Sequence, residues 1–237
     1  MGRKKMKVVA LIAAAGFGKR MNAKISKLFI PIFGKPILAY TIEKFEQCNF
    51  IEKIYLIVNQ EEDFYSKDII LKYNFSKVQE LIAGGETRQD SVYNGLKVLD
   101  PDTDIVAIHD GARPLIEETI IQESIEAAQE FGAAIAAIPL KDTVKRSGKD
   151  FFINETLNRQ EIWRAQTPQT FKYSIILSAY HQAYKDKFFA TDDAAIVERY
   201  GYKVKMIIGS EENIKITTPF DIIIAENFLK RGFKFKI

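Results

Sequence analysis

The chain of 237 residues carries 34 Lys and Arg against 31 Asp and Glu, a net charge of +3, with 47% apolar and 27% charged residues. That length allows one large domain with a sizeable core, and so small and scattered a charge argues against a chain built for nucleic acid or a membrane surface. No apolar run approaches the ~18–20 residues of a membrane span, and the single Cys48 cannot form an internal disulfide, so a cytoplasmic protein is expected. Arg3-Lys4-Lys5 ahead of VVALIAAA imitates a short signal peptide, but the apolar run is at the lower limit for one and reads better as a buried strand. Met6 breaks the myristoylation pattern that Gly2 begins.

After the strand VVALIA comes the helix PILAYTIEKFEQ, with Pro36 at its first position. KIYLIV is followed by EEDFYSKDIILKY, VQELI by TRQDSVYNGLKVL, DIVAIH by EETIIQESIEAAQEF, and then AAIAAI. Apolar strands alternating with amphipathic helices predict the α/β class, a mostly parallel twisted sheet flanked by helices. Between Leu140 and Phe171 this rhythm breaks. KDTVKR and FFINETL are β-favouring runs on either side of Ser147-Gly148-Lys149-Asp150, which predicts a hairpin arm at about 141–165. YSIILSAYHQAY and TDDAAIVERYG read as helices, KVKMII as a strand, and Thr218-Pro219 opens a last helix through FDIIIAENFLKR. With no repeat and no linker, residues 1–237 are expected to form a single domain with that one excursion.

Ligands of such sheets sit at the carboxyl ends of the strands, and three loops follow such ends: AAAGFGKRM, AGGETRQDS and HDGARP. The first is glycine-rich, as a phosphate-holding turn is. It is not the dinucleotide fingerprint, because Met21 stands where the third glycine belongs, and it fails the phosphate loop of nucleoside triphosphatases at Ala13 and Arg20. What remains, Gly16 and Gly18 with Lys19-Arg20, suits a strongly anionic ligand. Asp110 at the end of DIVAIH is placed for a divalent metal or a ribose hydroxyl, or simply to cap the turn into Gly111. His109 reads as a structural hydrogen-bonder rather than a base. Gly84-Gly85 brings backbone close to something flat, with Ser91 opening toward the same edge, unless this is a plain turn with Thr87 as helix cap. In TDDAAIVE either Thr191 or Asp192 can start the helix.

No nucleophile elbow and no zinc spacing appears. The strand ends instead supply cations: Lys19, Arg20, Lys24, Lys27, Arg88 and Arg113, and later Arg159 and Lys215. Without a protein nucleophile these suit phosphoryl or nucleotidyl transfer, in which positioning and charge neutralisation do the work.

Taken together, AAGFGKRM, GGETRQDSV, IHDGARP, KDTVK, AQTPQTF, TDDA and NIKIT resemble the methylerythritol-phosphate cytidylyltransferases of isoprenoid precursor synthesis, from about Val8 to Phe228. The resemblance implies a Rossmann-like nucleotidyltransferase fold and transfer of CMP from CTP to methylerythritol phosphate with Mg²⁺, releasing pyrophosphate. By motif it implies that Arg20 and Lys27 stabilise the transition state at the α-phosphorus, and that Lys215 is a third catalytic cation near that centre, positioning the acceptor phosphate as it attacks. Ala14, Ala15, Gly16, Gly18, Gly85, Glu86 and Ser91 would form the nucleotide pocket, and Asp110 would be the acid beside metal and triphosphate. Arg113, Thr143, Arg159, Thr167 and Thr191 would contact the acceptor, and the arm would make a homodimer that lends Thr143 and Arg159 to the partner's site. Two departures stand out: Ser26-Lys27-Leu28 replaces the family's common Pro-Lys-Gln, and Glu86 replaces a common Asp. The rival readings are a ribitol-phosphate cytidylyltransferase, a non-catalytic nucleotide-binding module, and a nicotinamide-dependent dehydrogenase, the last weakened by Met21.

Overall fold

Six apolar residues, Val8–Ala13, form the inner strand β1, and a run buried on both faces can satisfy its backbone only between two neighbouring strands. The computed structural model describes residues 6–16 and 26–234, with side chains in the last helix as far as Arg231. A short ribbon, β2 (Pro31–Ile32) and β3 (Lys35–Pro36), leads into helix α1 (Ile37–Gln47). Then follow β4 (Lys53–Val58), α2 (Asp63–Tyr73), β5 (Val78–Ala83), α3 (Arg88–Val98), β6 (Ile105–Asp110), α4 (Glu118–Phe131) and β7 (Ala133–Pro139). This is the predicted alternation. Pro36, however, precedes the first helix instead of opening it: its backbone is extended (ψ 146°) and pairs with Pro31 across the ribbon.

The next part of the chain forms a hairpin, β8 (Lys145–Ser147) against β9 (Ile153–Thr156), which is a two-stranded sheet of its own. It is succeeded by the long strand β10 (Trp163–Lys172), α5 (Tyr173–Lys185), α6 (Asp193–Arg199), β11 (Lys205–Ile208) and α7 (Pro219–Lys234). Trp163, Arg164 and Ala165 already pair with β7, so the excursion ends at Ile162, three residues earlier than the pattern of the sequence implies.

The main sheet has seven strands in the order β11-β7-β10-β6-β1-β4-β5. Its neighbours are parallel except around β10, which runs antiparallel between β6 and β7. Alternate side chains of β1 enter opposite layers of the core: Val8, Ala10 and Ile12 pack with Leu38, Phe45 and Ile121 of α1 and α4. Val9 and Leu11 pack with Val92, Ile176 and Ile196 of α3, α5 and α6. A two-residue period on a strand sandwiched by helices produces this division.

Parallel pairing brings strand ends together. Ala13 lies opposite Ile57 on one side and Asp110 on the other. The loops that leave these ends are stitched by backbone bonds: Ala14 N–H donates to the Ile57 carbonyl (2.7 Å), Gly84 N–H to Val58 (2.8 Å) and Gly111 N–H to Ala13 (2.9 Å). Among the described residues no helix is long and apolar enough to cross a membrane.

Candidate active site

Asp110, the last residue of β6, is buried to 6% exposure at the centre of these loops. Its Oδ2 lies 2.9 Å from Lys215 Nζ and 3.4 Å from Arg113 Nε, and its Oδ1 lies 3.3 Å from Arg88 Nε. Burial alone would push this carboxyl up, but Arg88, Lys215 and Arg113 outweigh it and hold the group well below the usual carboxylate range. Asp110 therefore carries full charge and holds three cations around one point. Arg88 lines the same cavity while its guanidinium makes a two-pronged pair with Asp193 (3.0 and 2.8 Å), which Tyr180 also meets through its hydroxyl.

Behind Asp110 a relay of hydrogen bonds fixes the strand end. Asp110 N–H donates to Thr167 Oγ1 (3.1 Å), which lies 2.9 Å from His109 Nδ1, while His109 Nε2 lies 3.2 Å from the Arg113 carbonyl. A carbonyl only accepts, so Nε2 carries the proton and Nδ1 accepts from the threonine hydroxyl. His109 is fully buried and burial pushes its imidazole down to about 3. It is a neutral structural hydrogen-bonder.

The 84–91 loop is shaped by its own packing. A Cβ on Gly84 would lie 2.3 Å from Ala15 Cβ, and one on Gly85 would lie 2.3 Å from Asp90 Cβ. The close approach that the double glycine implies is thus to the protein's own first loop and to the first turn of α3. Thr87 and Asp90 cap that helix reciprocally. Ser91 Oγ accepts from Gly85 N–H (3.0 Å) and donates to the Thr87 carbonyl (2.8 Å). The reading as a turn with Thr87 as helix cap is the one seen, and the capped turn lines the cavity.

Lys27 opens a single 3₁₀ turn, Lys27–Phe29, capped by Ser26. Ser26 N–H donates to the Glu62 carboxylate (2.8 Å), its Oγ accepts from Leu28 N–H (3.4 Å), and Leu28 is buried in the core. Lys27, Gly85, Glu86, Ser91, Asp110 and Lys215 line one cavity of about 320 Å³ with Ala15 and Gly16, a volume within the usual range for small-molecule sites. Ala14 is buried beside it. A wider groove of about 650 Å³ runs between α2 and the edge strand β5, with Lys67 as its single cation; it lacks the charge convergence of the Asp110 cavity.

Of the remaining expected site residues, Arg113 joins through Asp110, and Thr167 stands behind it with its hydroxyl committed to the relay. Thr191 lies just before α6, whose cap is Asp192, its side chain accepting from Ala195 N–H at 3.0 Å. Thr143 and Arg159 are exposed on the arm and do not line the cavity, and Arg159 donates to the Lys141 carbonyl (2.7 Å). Gly18 and Arg20, with Lys19 and Lys24, lie outside the described residues. For a divalent metal, Asp110 is one hard oxygen donor at the cavity wall, and no group of three or more His, Cys, Asp or Glu gathers among the described residues. A magnesium ion would have to be held there by this one carboxylate and by substrate phosphates, in competition with Arg88, Arg113 and Lys215 for its oxygens.

The model of the IspD family, 2-C-methyl-D-erythritol 4-phosphate cytidylyltransferase, matches residues 8–231. The chain belongs to this cytidylyltransferase family. The 2-C-methyl-D-erythritol 4-phosphate cytidylyltransferase of Alkaliphilus oremlandii (strain OhILAs) is 51% identical over 226 residues, 94% of this chain and 95% of its own. That of Clostridioides difficile (strain 630) is 50% identical over 220 residues, 92% of each chain. The crystal structure of 4-diphosphocytidyl-2C-methyl-D-erythritol synthase from Anaerococcus prevotii DSM 20548 matches with a TM-score of 0.86 at 33% identity, covering 95% of this chain and 97% of that one. Against the cytidylyltransferase pattern, the Ser26 and Leu28 departures have local reasons. Proline has no N–H to give Glu62, and Leu28 is a core anchor, so here a hydrogen bond and a buried side chain fix the turn that carries the lysine.

Sequence reasoning missed four buried polar residues of this region: Gln166, Gln169, Asp193 and Asn213. Their one signal is polarity where burial is expected, in AQTPQTF on a sheet strand and in TDDA and NIKIT beside it.

Proposed function

We propose that this family member transfers CMP from CTP to 2-C-methyl-D-erythritol 4-phosphate at the cavity around Asp110. The reading is carried by one observation: Lys27, Lys215 and Asp110 face the same 320 Å³ space as Gly85, Glu86 and Ser91. A site that must hold a base at one end and neutralise phosphate at the other needs this polarity.

The triphosphate of CTP lies against the first loop, with Gly16, Gly18 and Arg20 at its phosphates, and cytosine against Gly85, Glu86 and Ser91. An oxygen of the acceptor's phosphate attacks the α-phosphorus in line with the bond to the bridging oxygen. The new P–O bond forms, that bridging bond breaks, and pyrophosphate leaves with the electron pair. Charge builds on the equatorial and bridging oxygens in this step, and Arg20, with Lys27 and Lys215 of the cavity, neutralises it, so no covalent enzyme intermediate is needed. Asp110 holds Lys215 and Arg113 in place before substrate arrives. When bound, Mg²⁺ on Asp110 and the phosphates supplies further neutralisation of the triphosphate.

On the acceptor side, Arg113 and Thr191 meet the phosphate and polyol, Thr167 braces the Asp110 wall, and Thr143 and Arg159 come from the partner in a homodimer. Supporting the dimer is the turn of the arm, where Phe151, Phe152 and Ile153 stand in sequence as exposed apolar side chains, Phe151 at 89%. A cytoplasmic location belongs to the same proposal and accords with Cys48 as a buried free thiol.

Single substitutions test the assignment. Lys27→Ala and Lys215→Ala are expected to fold as the parent does and to lose at least ~10²-fold in kcat, as removal of one preorganised charge-stabilising group does. Turnover within a few-fold of the parent in both would overturn the mechanism.

A further inference from the structure

Strand β10 shifts register against β7 between Ala165 and Gln169, and the irregular stretch it makes, Gln166-Thr167-Pro168-Gln169, sits directly behind the cavity. The two glutamines are 3% and 2% exposed and neither lines the cavity. Gln166 makes all four hydrogen bonds of its amide and Gln169 three, and the bonds go to different places.

Gln166 holds the loop that ends in Lys215. Its Nε2 donates to the carbonyls of Ser210 (2.7 Å) and Asn213 (3.4 Å), and its Oε1 accepts from Ser210 N–H and Asn213 Nδ2 (3.3 Å each). Asn213 Nδ2 reaches on to the Thr167 carbonyl (2.8 Å), and Arg113 Nη1 donates to the Asn213 carbonyl (2.7 Å). A Cβ on Gly209 would lie 2.3 Å from Gln166 Oε1, so the loop backbone rests on this amide. Gln169 holds the start of α6. Its Oε1 accepts from Asp193 and Ala194 N–H (3.0 Å each), which are unpaired first-turn donors, and its Nε2 donates to Asp192 Oδ2 (2.8 Å). Thr191 is the residue immediately before Asp192, the first of the three residues that Gln169 holds.

We propose that Gln166 and Gln169 are separate positioning residues, Gln166 acting through Lys215 on the chemical step and Gln169 acting through Thr191 on acceptor binding. The proposal rests on the roles given to Lys215 and Thr191 above. A buried amide bonded through both its oxygen and its nitrogen fixes its loop more sharply than apolar packing does, and displacement of a catalytic group by ~1 Å costs on the order of 10²-fold in rate.

Gln166→Met and Gln169→Met keep side-chain length and remove the bonds. Steady-state kinetics with CTP and methylerythritol phosphate are expected to divide. Gln166→Met lowers kcat at least ~10-fold, with any rise in acceptor KM, carried by Arg113 on the Asn213 carbonyl, smaller than that fall, while Gln169→Met raises acceptor KM about 10-fold with kcat and the KM for CTP within ~3-fold. Adding Gln166→Met to Lys215→Ala should cost no more than ~2-fold further, and Thr191→Ala should absorb the Gln169 effect likewise, because coupled residues are not additive. Thermal unfolding and calorimetric CTP binding certify each variant. Where a Met variant does not fold, Gln166→Glu and Gln169→Glu, which retain the accepting oxygen, are assayed for the same division. Losses that fall equally on every kinetic parameter, or that multiply fully with Lys215→Ala and Thr191→Ala, would overturn the proposal. An active parent with kinetically silent Lys215→Ala and Thr191→Ala variants would instead overturn the roles on which it rests, and the proposal with them.

Discussion

His109 gives the site a pH signature of its own. In the unfolded chain an imidazole titrates near ~6.5, whereas burial pushes the native one down to about 3. Between those values the unfolded state binds the proton and the native state does not, so stability is complete above ~6.5 and falls as pH drops, by up to about 1.4 kcal/mol per pH unit. Asp110, also held low, adds its own loss only once pH falls into the ordinary carboxylate range. Urea unfolding between pH 7 and 4.5 should therefore be steeper for the parent than for His109→Gln; equal slopes would show that His109 is not kept neutral by the fold. At this scale the sequence makes the identities of Asp110 and His109 legible, because both stand at the end of an apolar strand. It hides their partners. Arg88 reads as a site cation, yet the carboxylate that claims it, Asp193, lies 105 residues further on, and no local pattern announces such a pair.

The loop from β5 into α3 is the element in which packing and binding are least separable. Gly85 is pressed against Asp90, and Asp90 closes the capping box with Thr87. A methyl at position 85 has no room unless the first turn of the helix moves. Gly85→Ala should thus destabilise by about 1–3 kcal/mol, the usual cost of forced overpacking, and should weaken calorimetric CTP binding more than it raises the acceptor KM. A variant that loses stability but binds CTP as the parent does would separate the loop from the nucleotide. Elements with a clear period were legible: β1, β4, β6 and β7 as apolar runs, and α3 from its cap. The place of β10 was not. Its sequence, WRAQTPQTFK, has neither strand alternation nor an apolar run, because its buried polar side chains are matched to loops more than twenty residues away. Its insertion antiparallel between β6 and β7 follows from those distant contacts.

At the scale of the whole molecule, the proposed dimer would make the site a property of two chains. Thr143 and Arg159 stand exposed, away from the cavity of their own chain, and the arm's apolar turn has no cover within it. A two-fold dimer that exchanges arms would resolve both facts. Co-refolded mixtures of Lys27→Ala and Arg159→Ala chains should then regain activity, since one site of each heterodimer carries both lesions and the other none, or about a quarter of all sites under random pairing. Activity no greater than the sum of the two variants, with heterodimers verified by mass, would place Arg159 in its own chain's site or in none. The hairpin itself was legible from Ser147-Gly148-Lys149-Asp150, and its exact end was not, because Trp163–Ala165 join the sheet through pairing with β7 rather than through any local signal. The claim on which all of this depends is the identity of the acceptor. Pyrophosphate release by the purified chain, measured with CTP plus methylerythritol phosphate and in parallel with CTP plus ribitol 5-phosphate, tests it most directly. Release is expected to depend on methylerythritol phosphate and to be at least ~10-fold lower in kcat/KM with ribitol 5-phosphate, whose different polyol leaves polar groups of the site unmatched. Release that favours ribitol 5-phosphate, or none with methylerythritol phosphate, would contradict it.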